Sequence, residues 1–263
     1  MSALDPIIAY KADEVAALKR TQSESELLQT AHSQPEPRPF LSAMSAVCAT
    51  GDNALICEMK RKSPSAGEIL PGANPVDIAK DYEAGGAACL SVLTDGPSFG
   101  GSVADFQAIR AAVSLPMLRK DFMIDPLQVI EARAMGADAV LVILSCSDDA
   151  LASDLIATAD DLGMTSLIET HTKREVERAL KLNGGIIGIN NRDLTRMVTD
   201  LATTEALMSA IPAETEIISE SGITTPTDIS RLRKVGVRRF LIGESLMKQT
   251  ERAQACAQLR QAR

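Results

Sequence analysis

From about residue 54 onward the chain alternates between short apolar runs and longer amphipathic stretches with helical spacing. Each apolar run is rich in Val, Ile and Leu and is followed by a polar turn and then by a stretch that begins with its own capping residue. Strands buried on both faces read as nearly continuous apolar runs, and parallel pairing requires a crossover helix after each strand. The pattern therefore predicts eight βα units, with strands at 54–61, 88–94, 115–122, 138–145, 165–170, 186–194, 216–223 and 238–246.

The ends of the predicted helices are marked by capping residues. Asn74-Pro75, Asp125-Pro126 and Thr225-Pro226 each place a capping side chain before a proline at the first helical position, and Thr172 with Glu175 has capping-box spacing. Glycines follow the helices where left-handed C-caps are expected, at Gly85, Gly86, Gly136, Gly163, Gly184, Gly185 and Gly236. Eight units in 263 residues predict an α/β fold, a (β/α)8 TIM barrel in a single domain over 1–263, with an open doubly wound sheet as the alternative.

The first 50 residues precede the first strand and form a predicted N-terminal helical extension. Helical spacing occurs at about 5–20 and 40–49, and the proline-rich segment 34–40 joins the two stretches. Fifty residues bury too little surface to fold alone. We therefore expect the extension to pack on the barrel through its apolar side chains, among them Ile7, Ile8, Val15 and Leu18.

Composition excludes several classes of protein. With 27 Lys and Arg against 35 Asp and Glu, a formal charge of -8 and 3% aromatic residues, the chain lacks the basic surface and stacking residues of a nucleic-acid-binding protein. No apolar segment is long enough to cross a membrane, and the charged start predicts a cytoplasmic protein. The five cysteines form no CxxC pair and are interpreted as small buried side chains. Two histidines and no carboxylate cluster at ligand spacing predict neither a metal nor a cofactor.

Charged residues occur where the predicted strands end, which is where such barrels place their active sites. They are Glu58, Lys60, Lys120, Glu169, Arg192 and Glu220, together with the polar Asn190. Because side chains of a strand alternate in direction, Glu58 and Lys60 share one face. The alternative is that the charges point outward and pair beneath the helices. We favour one shared cavity, because unpaired buried charges are costly and the three carboxylates and three cations sum to zero.

Two glycine turns predict a site for an anion. Ser221-Gly222 ends the seventh strand and Gly243-Glu244 ends the eighth, and both strands lead to helices whose amino termini can hold a phosphate. The alternative is that these glycines only make tight turns. Ser63, in the loop after the first strand, can donate a further hydrogen bond. His171 follows Glu169 and could assist proton transfer, but its place at a helix start favours a surface residue, and His32 is given no role.

Long segments of the chain resemble one family, the indole-3-glycerol phosphate synthases. The resemblance rests on ICEMKRKSPSAGEI, ACLSVLTD, LPMLRKDFMIDPLQVIEARAMGADAVLVI, IIGINNRDL, ISESGI and FLIGESLM, in this order over residues 54–248. The first 50 residues resemble that family's extension over the barrel mouth. The resemblance implies a carboxy-lyase of tryptophan biosynthesis, which closes the indole ring of 1-(2-carboxyphenylamino)-1-deoxyribulose 5-phosphate with loss of carbon dioxide and water.

The resemblance also implies roles for the residues at the strand ends. Lys120 is then the general acid that protonates the substrate ketone, and Glu169 and Glu58 exchange protons during ring closure and dehydration, in an order that stays open. Lys60 binds the substrate carboxylate, with Arg192 as a second candidate. The remaining implied contacts are Asn190 at the reacting centre, Phe122 in the apolar wall, Glu220 as the orienter of Lys60, and Ser63, Ser221, Gly222, Gly243 and Glu244 around the phosphate.

Three rival functions are weighed against this one. Phosphoribosylanthranilate isomerase, another phosphate-binding barrel of the pathway, lacks the long extension and the KRKSPS motif. A Schiff-base aldolase would use Lys120 or Lys60 as its amine. A catalytically silent barrel that serves as a binding partner is disfavoured by the presence of Glu58, Lys120 and Glu169. The expected partner is a small phosphorylated substrate, and we expect a monomer, with a weak homodimer as the alternative.

Overall fold

Eight parallel strands close into a barrel in the computed structural model, which describes residues 4–193 and 196–263. The first strand pairs with the last, Ala54 opposite Arg239, and with the second, Ile56 opposite Cys89. The predicted TIM barrel is confirmed and the open sheet is wrong. Positions 1–3 and 194, the last residue of the predicted sixth strand, lie outside the described residues. The strands are β1 (Ala54–Met59), β2 (Cys89–Leu93), β3 (Met117–Lys120), β4 (Ala139–Ile143), β5 (Thr165–Thr170), β6 (Ile186–Asn190), β7 (Ile217–Glu220) and β8 (Arg239–Ile242).

Helices surround the barrel, and a short hairpin of Lys62–Ser63 with Gly67–Glu68 follows β1. The described helices are α1 (Asp5–Thr21), α2 (Glu24–Ser33), α3 (Phe40–Ala49), α4 (Pro75–Ala84), α5 (Gly96–Phe99), α6 (Val103–Ala112), α7 (Pro126–Ala134), α8 (Asp149–Asp161), α9 (Lys173–Ala179), α10 (Ala202–Met208), α11 (Pro226–Arg233), α12 (Glu244–Met247) and α13 (Arg252–Gln261). None of the helices in these parts of the chain is long and apolar enough to cross a membrane.

The predicted caps are present at three helix starts. The side chains of Asn74, Asp125 and Thr225 each accept a hydrogen bond from a backbone N–H in the first turn of the following helix. The fourth prediction is half right. Thr172 accepts from the N–H of Glu175, but the bond that closes on the Glu175 carboxylate most directly comes from the N–H of His171, at 2.6 Å, and no complete capping box forms.

The N-terminal extension passes from one end of the barrel to the other and contains a helix that the sequence pattern did not predict. Helix α1 lies at the carboxyl ends of the strands, where Ile7 is buried with the barrel interior and Ile8 packs against it. Helix α2 packs on α7. Helix α3 covers the amino ends of the strands, where Phe40 and Met44 are fully buried. The extension therefore contacts the barrel along its whole height.

A buried lysine anchors α1. Lys11 is 1% exposed, and its Nζ lies 2.8 Å from Asp121 Oδ1, 3.1 Å from Asp95 Oδ2 and 2.8 Å from Glu14 Oε2. Asp121 directly follows β3, and Asp95 lies two residues after the end of β2. Burial alone would lower the pKa of Lys11, but Asp121, Glu14 and Asp95 raise it well above its usual value. Lys11 is therefore a buried cation that ties α1 to the active-site end of the barrel.

Three of the five cysteines are buried as predicted, namely Cys57, Cys89 and Cys256. Cys48 and Cys146 are partly exposed, so the prediction fails for these two thiols.

Candidate active site

The direction of each strand-end side chain follows from the alternation along its strand. In β1, Leu55, Cys57 and Met59 pack in the layer between strands and helices, whereas Ala54 and Ile56 pack inside the barrel. Glu58 therefore points into the barrel above Ile56. The same alternation directs Lys120, Glu169, Asn190 and Glu220 inward, above Leu118, Leu167, Ile186 and Ile218. The outward alternative is wrong for these groups.

These side chains meet around one cavity of about 400 Å³ at the carboxyl ends of the strands. Every site residue predicted from the sequence lines it. They are Glu58, Lys60, Ser63, Lys120, Phe122, Glu169, Asn190, Arg192, Glu220, Ser221, Gly222, Gly243 and Glu244. Ionic groups from five strand ends thus surround a single hollow large enough for a small phosphorylated molecule.

Lys120 is the central cation of this cavity. Its Nζ donates to Glu220 Oε2 at 2.6 Å and to Glu169 Oε2 at 3.3 Å. Burial would lower the pKa of Lys120, but the carboxylates of Glu220, Glu169 and Glu58 outweigh burial and raise it well above its usual value. Lys120 is therefore an ammonium at neutral pH, which can donate a proton but is a poor nucleophile.

Glu169 and Glu220 differ in protonation although both contact Lys120. Burial raises the pKa of Glu169, but Lys120, His171 and an amide hydrogen bond from Asn190 outweigh burial and lower it far below its usual value. Burial raises the pKa of Glu220 to about 7, because repulsion from Glu169 and Glu58 offsets part of the attraction to Lys120. Glu169 is an ionised base, whereas Glu220 exchanges its proton near neutral pH.

Glycine at position 188 makes room for Glu220. A Cβ atom at Gly188 would lie 2.3 Å from Glu220 Oε1 and 2.9 Å from Leu167 Cδ1. That Oε1 is buried and has no hydrogen-bond partner among the residues described. Gly188 was not singled out from the sequence, although glycine inside a strand is a known sign of a close approach to the backbone.

Lys60 pairs with Glu58 rather than with Glu220. The Lys60 ammonium lies 2.6 Å from Glu58 Oε1. Burial raises the pKa of Glu58, but Lys60 and Lys120 lower it below its usual value, so Glu58 is ionised. The prediction that Glu220 orients Lys60 is wrong, because the Glu220 carboxyl instead contacts Lys120, which reaches it across the barrel interior.

The turns after β7 and β8 lie side by side at one end of the cavity. Ser221 and Gly222 both have left-handed backbone conformations, with φ of 65° and 79°. A left-handed serine is uncommon and strained, as is often found at functional sites. Ser245 Oγ donates to the carbonyl of Ile223 at 2.8 Å and joins the two turns. This hydrogen bond therefore fixes the two turns relative to each other.

Only one of the two predicted helix amino termini opens directly at these turns. Helix α12 begins at Glu244, and its N-cap Gly243 makes no side-chain capping bond. Helix α11 begins further on, at Pro226, and the Asp228 carboxylate accepts from the N–H groups of Thr224 and Thr225. The prediction that both helices present their amino termini is therefore wrong for α11, because its own capping box occupies these donors.

Cations and a serine hydroxyl surround the same end of the cavity. Arg192 Nη2 is 4.0 Å from Glu244 Oε2, and Glu244 Oε1 pairs with Lys248 at 2.6 Å. The hydroxyl of Ser63 accepts from the N–H of Ala66 at 3.1 Å, which holds it in the hairpin loop. Lys248 also lines the cavity but was not predicted; it directly follows α12, two residues beyond the predicted end of the eighth strand.

The opposite end of the cavity is apolar. The rings of Phe99 and Phe122 lie 6.0 Å apart between centroids, and Leu4 and Ile7 of the extension complete the wall. Asp95 accepts from the N–H of Phe99, and Asp121 accepts from the N–H of Phe122. Of this wall only Phe122 was predicted, since Phe99 comes from the short helix α5 and the others from the N-terminal extension, where strand alternation gives no signal.

His171 is buried beside Glu169, and the expectation of a surface residue is wrong. Its side chain is 9% exposed, with Nε2 3.4 Å from Glu169 Oε1 and Nδ1 3.4 Å from Glu175 Oε2. Helix α9 starts beneath it and supplies Glu175, which explains why a residue at a helix start is covered. No group of three or more potential metal ligands occurs within 4–193 and 196–263.

A sequence model described as Indole-3-glycerol phosphate synthase matches residues 4–259. The chain belongs to this family. An indole-3-glycerol phosphate synthase from Hyphomonas neptunium is 62% identical over 262 residues, which cover 99% of both chains. A second, from Rhodospirillum rubrum, is 49% identical over 239 residues, which cover 90% of this chain and 91% of the relative.

Solved structures of other proteins share the barrel. A thiamine phosphate pyrophosphorylase from Pyrococcus furiosus has a TM-score of 0.58 at 14% identity and covers 79% of this chain and 93% of its own. A 3-hexulose-6-phosphate synthase has a TM-score of 0.57 at 15% identity and covers 79% of this chain and 98% of its own. At these identities the likeness shows the fold alone.

Proposed function

We propose that the cavity forms indole-3-glycerol phosphate from 1-(2-carboxyphenylamino)-1-deoxyribulose 5-phosphate, with loss of carbon dioxide and water. This is the carboxy-lyase reaction of tryptophan biosynthesis that the family name denotes. The main support is the position of Lys120, a buried ammonium held by Glu169 and Glu220 at the centre of the cavity. An acid is needed at this point, because ring closure requires a polarised ketone.

The two ends of the cavity suit the two ends of this substrate. The joined turns at Ser221-Gly222 and Gly243-Glu244, with Ser63 and Arg192, suit the phosphate. The Phe99 and Phe122 rings suit the aromatic ring, and Lys60 lies where it can bind the ring carboxylate that is later lost. Binding in this orientation puts the ketone between the two ends, beside Lys120.

In this proposal Lys120 donates a proton to the ketone oxygen while the aromatic carbon attacks. Decarboxylation then restores the aromatic ring, and loss of the resulting hydroxyl as water completes the pyrrole. Glu169 and Glu58, both held ionised by neighbouring cations, take up and return protons in these steps, and Asn190 orients Glu169. Glu220 keeps Lys120 in position.

A Schiff-base aldolase is the rival that the site disfavours. Such an enzyme needs a neutral amine, whereas the carboxylates around Lys120 raise its pKa. Treatment with borohydride in the presence of substrate would give a covalent adduct for the aldolase and none for the proposed enzyme.

The direct test is an assay of indole-3-glycerol phosphate formation from the synthetic substrate. We expect Lys120→Met to lower kcat by about 10²- to 10⁴-fold with little change in KM, because the general acid acts mainly in the transition state. Lys19→Met, on the exposed face of α1, is the matched control and should leave kcat unchanged. Normal turnover by the Lys120 variant would remove this residue from the mechanism.

We also propose that the protein acts in the cytoplasm. We propose further that it is a monomer, since the residues that line the cavity belong to one chain. Light scattering of the purified protein should give the mass of one chain, 28.0 kDa. A dimeric mass would replace this proposal with the weak homodimer.

A further inference from the structure

His171 lies just outside the cavity, between two carboxylates. Its imidazole is 3.4 Å from Glu169 on one side and 3.4 Å from Glu175 on the other. It is not among the residues that line the cavity, and its side chain is almost fully buried. Of the two carboxylates that His171 contacts, only Glu169 lines the cavity, so Glu169 is the contact through which His171 can act on a bound substrate.

The carboxylate of Glu169 is held by a different cation at each oxygen. Oε2 faces Lys120 in the cavity, and Oε1 faces the His171 ring on the outer side. Glu175, in the first turn of α9, is fixed independently, because it accepts the backbone N–H of His171 at 2.6 Å. The three groups form a line from the cavity to the helix layer, Glu169, His171 and Glu175.

We propose that His171 is a positioning residue, a charged imidazole held by Glu175 that fixes the Glu169 carboxylate and keeps it ionised for its work as a base. This inference rests on the proposed function of Glu169. It assigns a role in the reaction to a residue that does not contact the substrate.

The surroundings of His171 favour its charged form. Glu169 faces it from β5 and Glu175 from α9, while Cys146 approaches from the turn after β4 with a thiol whose pKa burial raises to about 12. Lys120 lies on the far side of Glu169, and Arg178 of α9 points to the carbonyls of Leu144 and Ser147. Burial would lower the pKa of His171, but the two glutamates outweigh burial and raise it to about 10.

The charge of His171 can be measured directly, because the chain has only one other histidine, the exposed His32. A ¹H–¹³C NMR titration of the imidazole signals, assigned with the control variant His32→Gln, follows His171 without substrate. We expect no titration of His171 between about pH 6 and pH 9, whereas an unperturbed histidine titrates near 6.5. A midpoint at or below about 7 overturns the proposal.

Two variants then separate positioning from simple packing. His171→Gln should lower kcat by about 10-fold, less than loss of the general acid, and should move the acid limb of the pH profile of kcat/KM to higher pH. Glu175→Gln should lower the NMR midpoint of His171 by about one pH unit or more and move only the alkaline limb, to lower pH. A His171 variant that folds and keeps both the wild-type kcat and the wild-type pH profile overturns the proposal.

Failure of this inference is distinct from failure of the proposed function. Wild-type protein that forms no indole-3-glycerol phosphate contradicts the function. A neutral His171 in a protein that does form it contradicts only the positioning role.

Discussion

One ammonium with three carboxylates around it dominates the electrostatics of the site. Glu58, Glu169 and Glu220 all raise the pKa of Lys120, while Lys60 pairs with Glu58 at the cavity wall and His171 pairs with Glu169 from outside the cavity. The proton that is easiest to move near neutral pH is thus the one on Glu220, whose pKa lies at about 7. Changes at Glu220 should therefore act on the reaction through Lys120.

Gly188→Ala tests this coupling without removing a titratable group. The new methyl group would lie 2.3 Å from Glu220 Oε1 and should push the carboxyl away from Lys120. We expect kcat to fall by about 10-fold, as for a loss of about 1.4 kcal/mol, and stability to fall by about 1–3 kcal/mol from overpacking. Steady-state kinetics and urea denaturation measure the two effects.

Gly96→Ala is the matched control for that variant. A Cβ at Gly96 meets its nearest neighbour, the Gly101 carbonyl oxygen, at an ordinary 3.6 Å. It should be tolerated. Wild-type kcat in Gly188→Ala would mean that Glu220 can move without any effect on Lys120.

The sequence predicted which residues line the cavity better than it predicted how they pair. Alternation along β1, β3, β5 and β7 directs the strand-end groups inward whatever their partners are. Pairing depends instead on which long side chains meet across the barrel. Lys120 reaches Glu220 from a strand on the opposite side, and this gave Glu220 a partner other than the predicted Lys60.

At the scale of elements, α1 is held by a buried charge as well as by apolar contacts. Lys11 joins it to Asp95 and Asp121, which also fix the N–H groups of Phe99 and Phe122. The anchor of the helix and the apolar wall of the cavity thus share two carboxylates.

Lys11→Met should therefore affect both stability and substrate binding. It leaves Asp95 and Asp121 as buried carboxylates without this cation, and we expect a loss of about 3–5 kcal/mol in the free energy of unfolding. KM should rise, because Ile7 of the same helix and Leu4 at its N-cap line the cavity. Chemical denaturation and steady-state kinetics are the measurements.

The same helix supplies the control. Lys19 pairs with Asp125 at the surface, where its side chain is 53% exposed. Lys19→Met should cost no more than about 1 kcal/mol and leave KM unchanged. Equal effects of the two substitutions would contradict a special role for Lys11.

Helix α2 is an element that the pattern of apolar and polar residues did not predict. It has only three apolar positions, Leu27, Leu28 and Ala31, and no helix was predicted there. A local signal was nevertheless present, since Ser23 and Glu26 form a complete capping box. The eight strands were predicted because burial on both faces leaves a strong apolar signal, which a short helix on the outer surface does not need.

For the whole molecule, the buried ionic groups predict how stability depends on pH. Folding lowers the pKa of Asp121, Glu58 and Glu169 below their ordinary values of 3.8 and 4.5, so their stabilising effect is complete above those values and is lost as the pH falls below them. The free energy of unfolding should decrease from about pH 5 downward. In Asp121→Asn, about one proton fewer should be taken up on unfolding in this range.

At alkaline pH the contribution of His171 to the free energy of unfolding changes in the opposite direction, because it decreases as the pH rises. Its pKa rises from 6.5 to about 10 on folding, so its contribution is complete below 6.5 and is lost as the pH rises through 10. Urea denaturation across this range should show a decline that His171→Gln lacks. Parallel pH curves for the variant and the wild type would contradict the assignment.

The extension that runs from one end of the barrel to the other has a consequence for synthesis of the chain. Its residues leave the ribosome before those of the strands, yet α1 docks on Asp121, and α3 contacts Arg238 and Arg239 at the start of the last strand. The last strand must therefore be synthesised before Phe40 and Met44 can be fully covered. Apolar side chains that are made before the strands are thus among the last to become buried, and the nascent polypeptide is most exposed to aggregation during that interval.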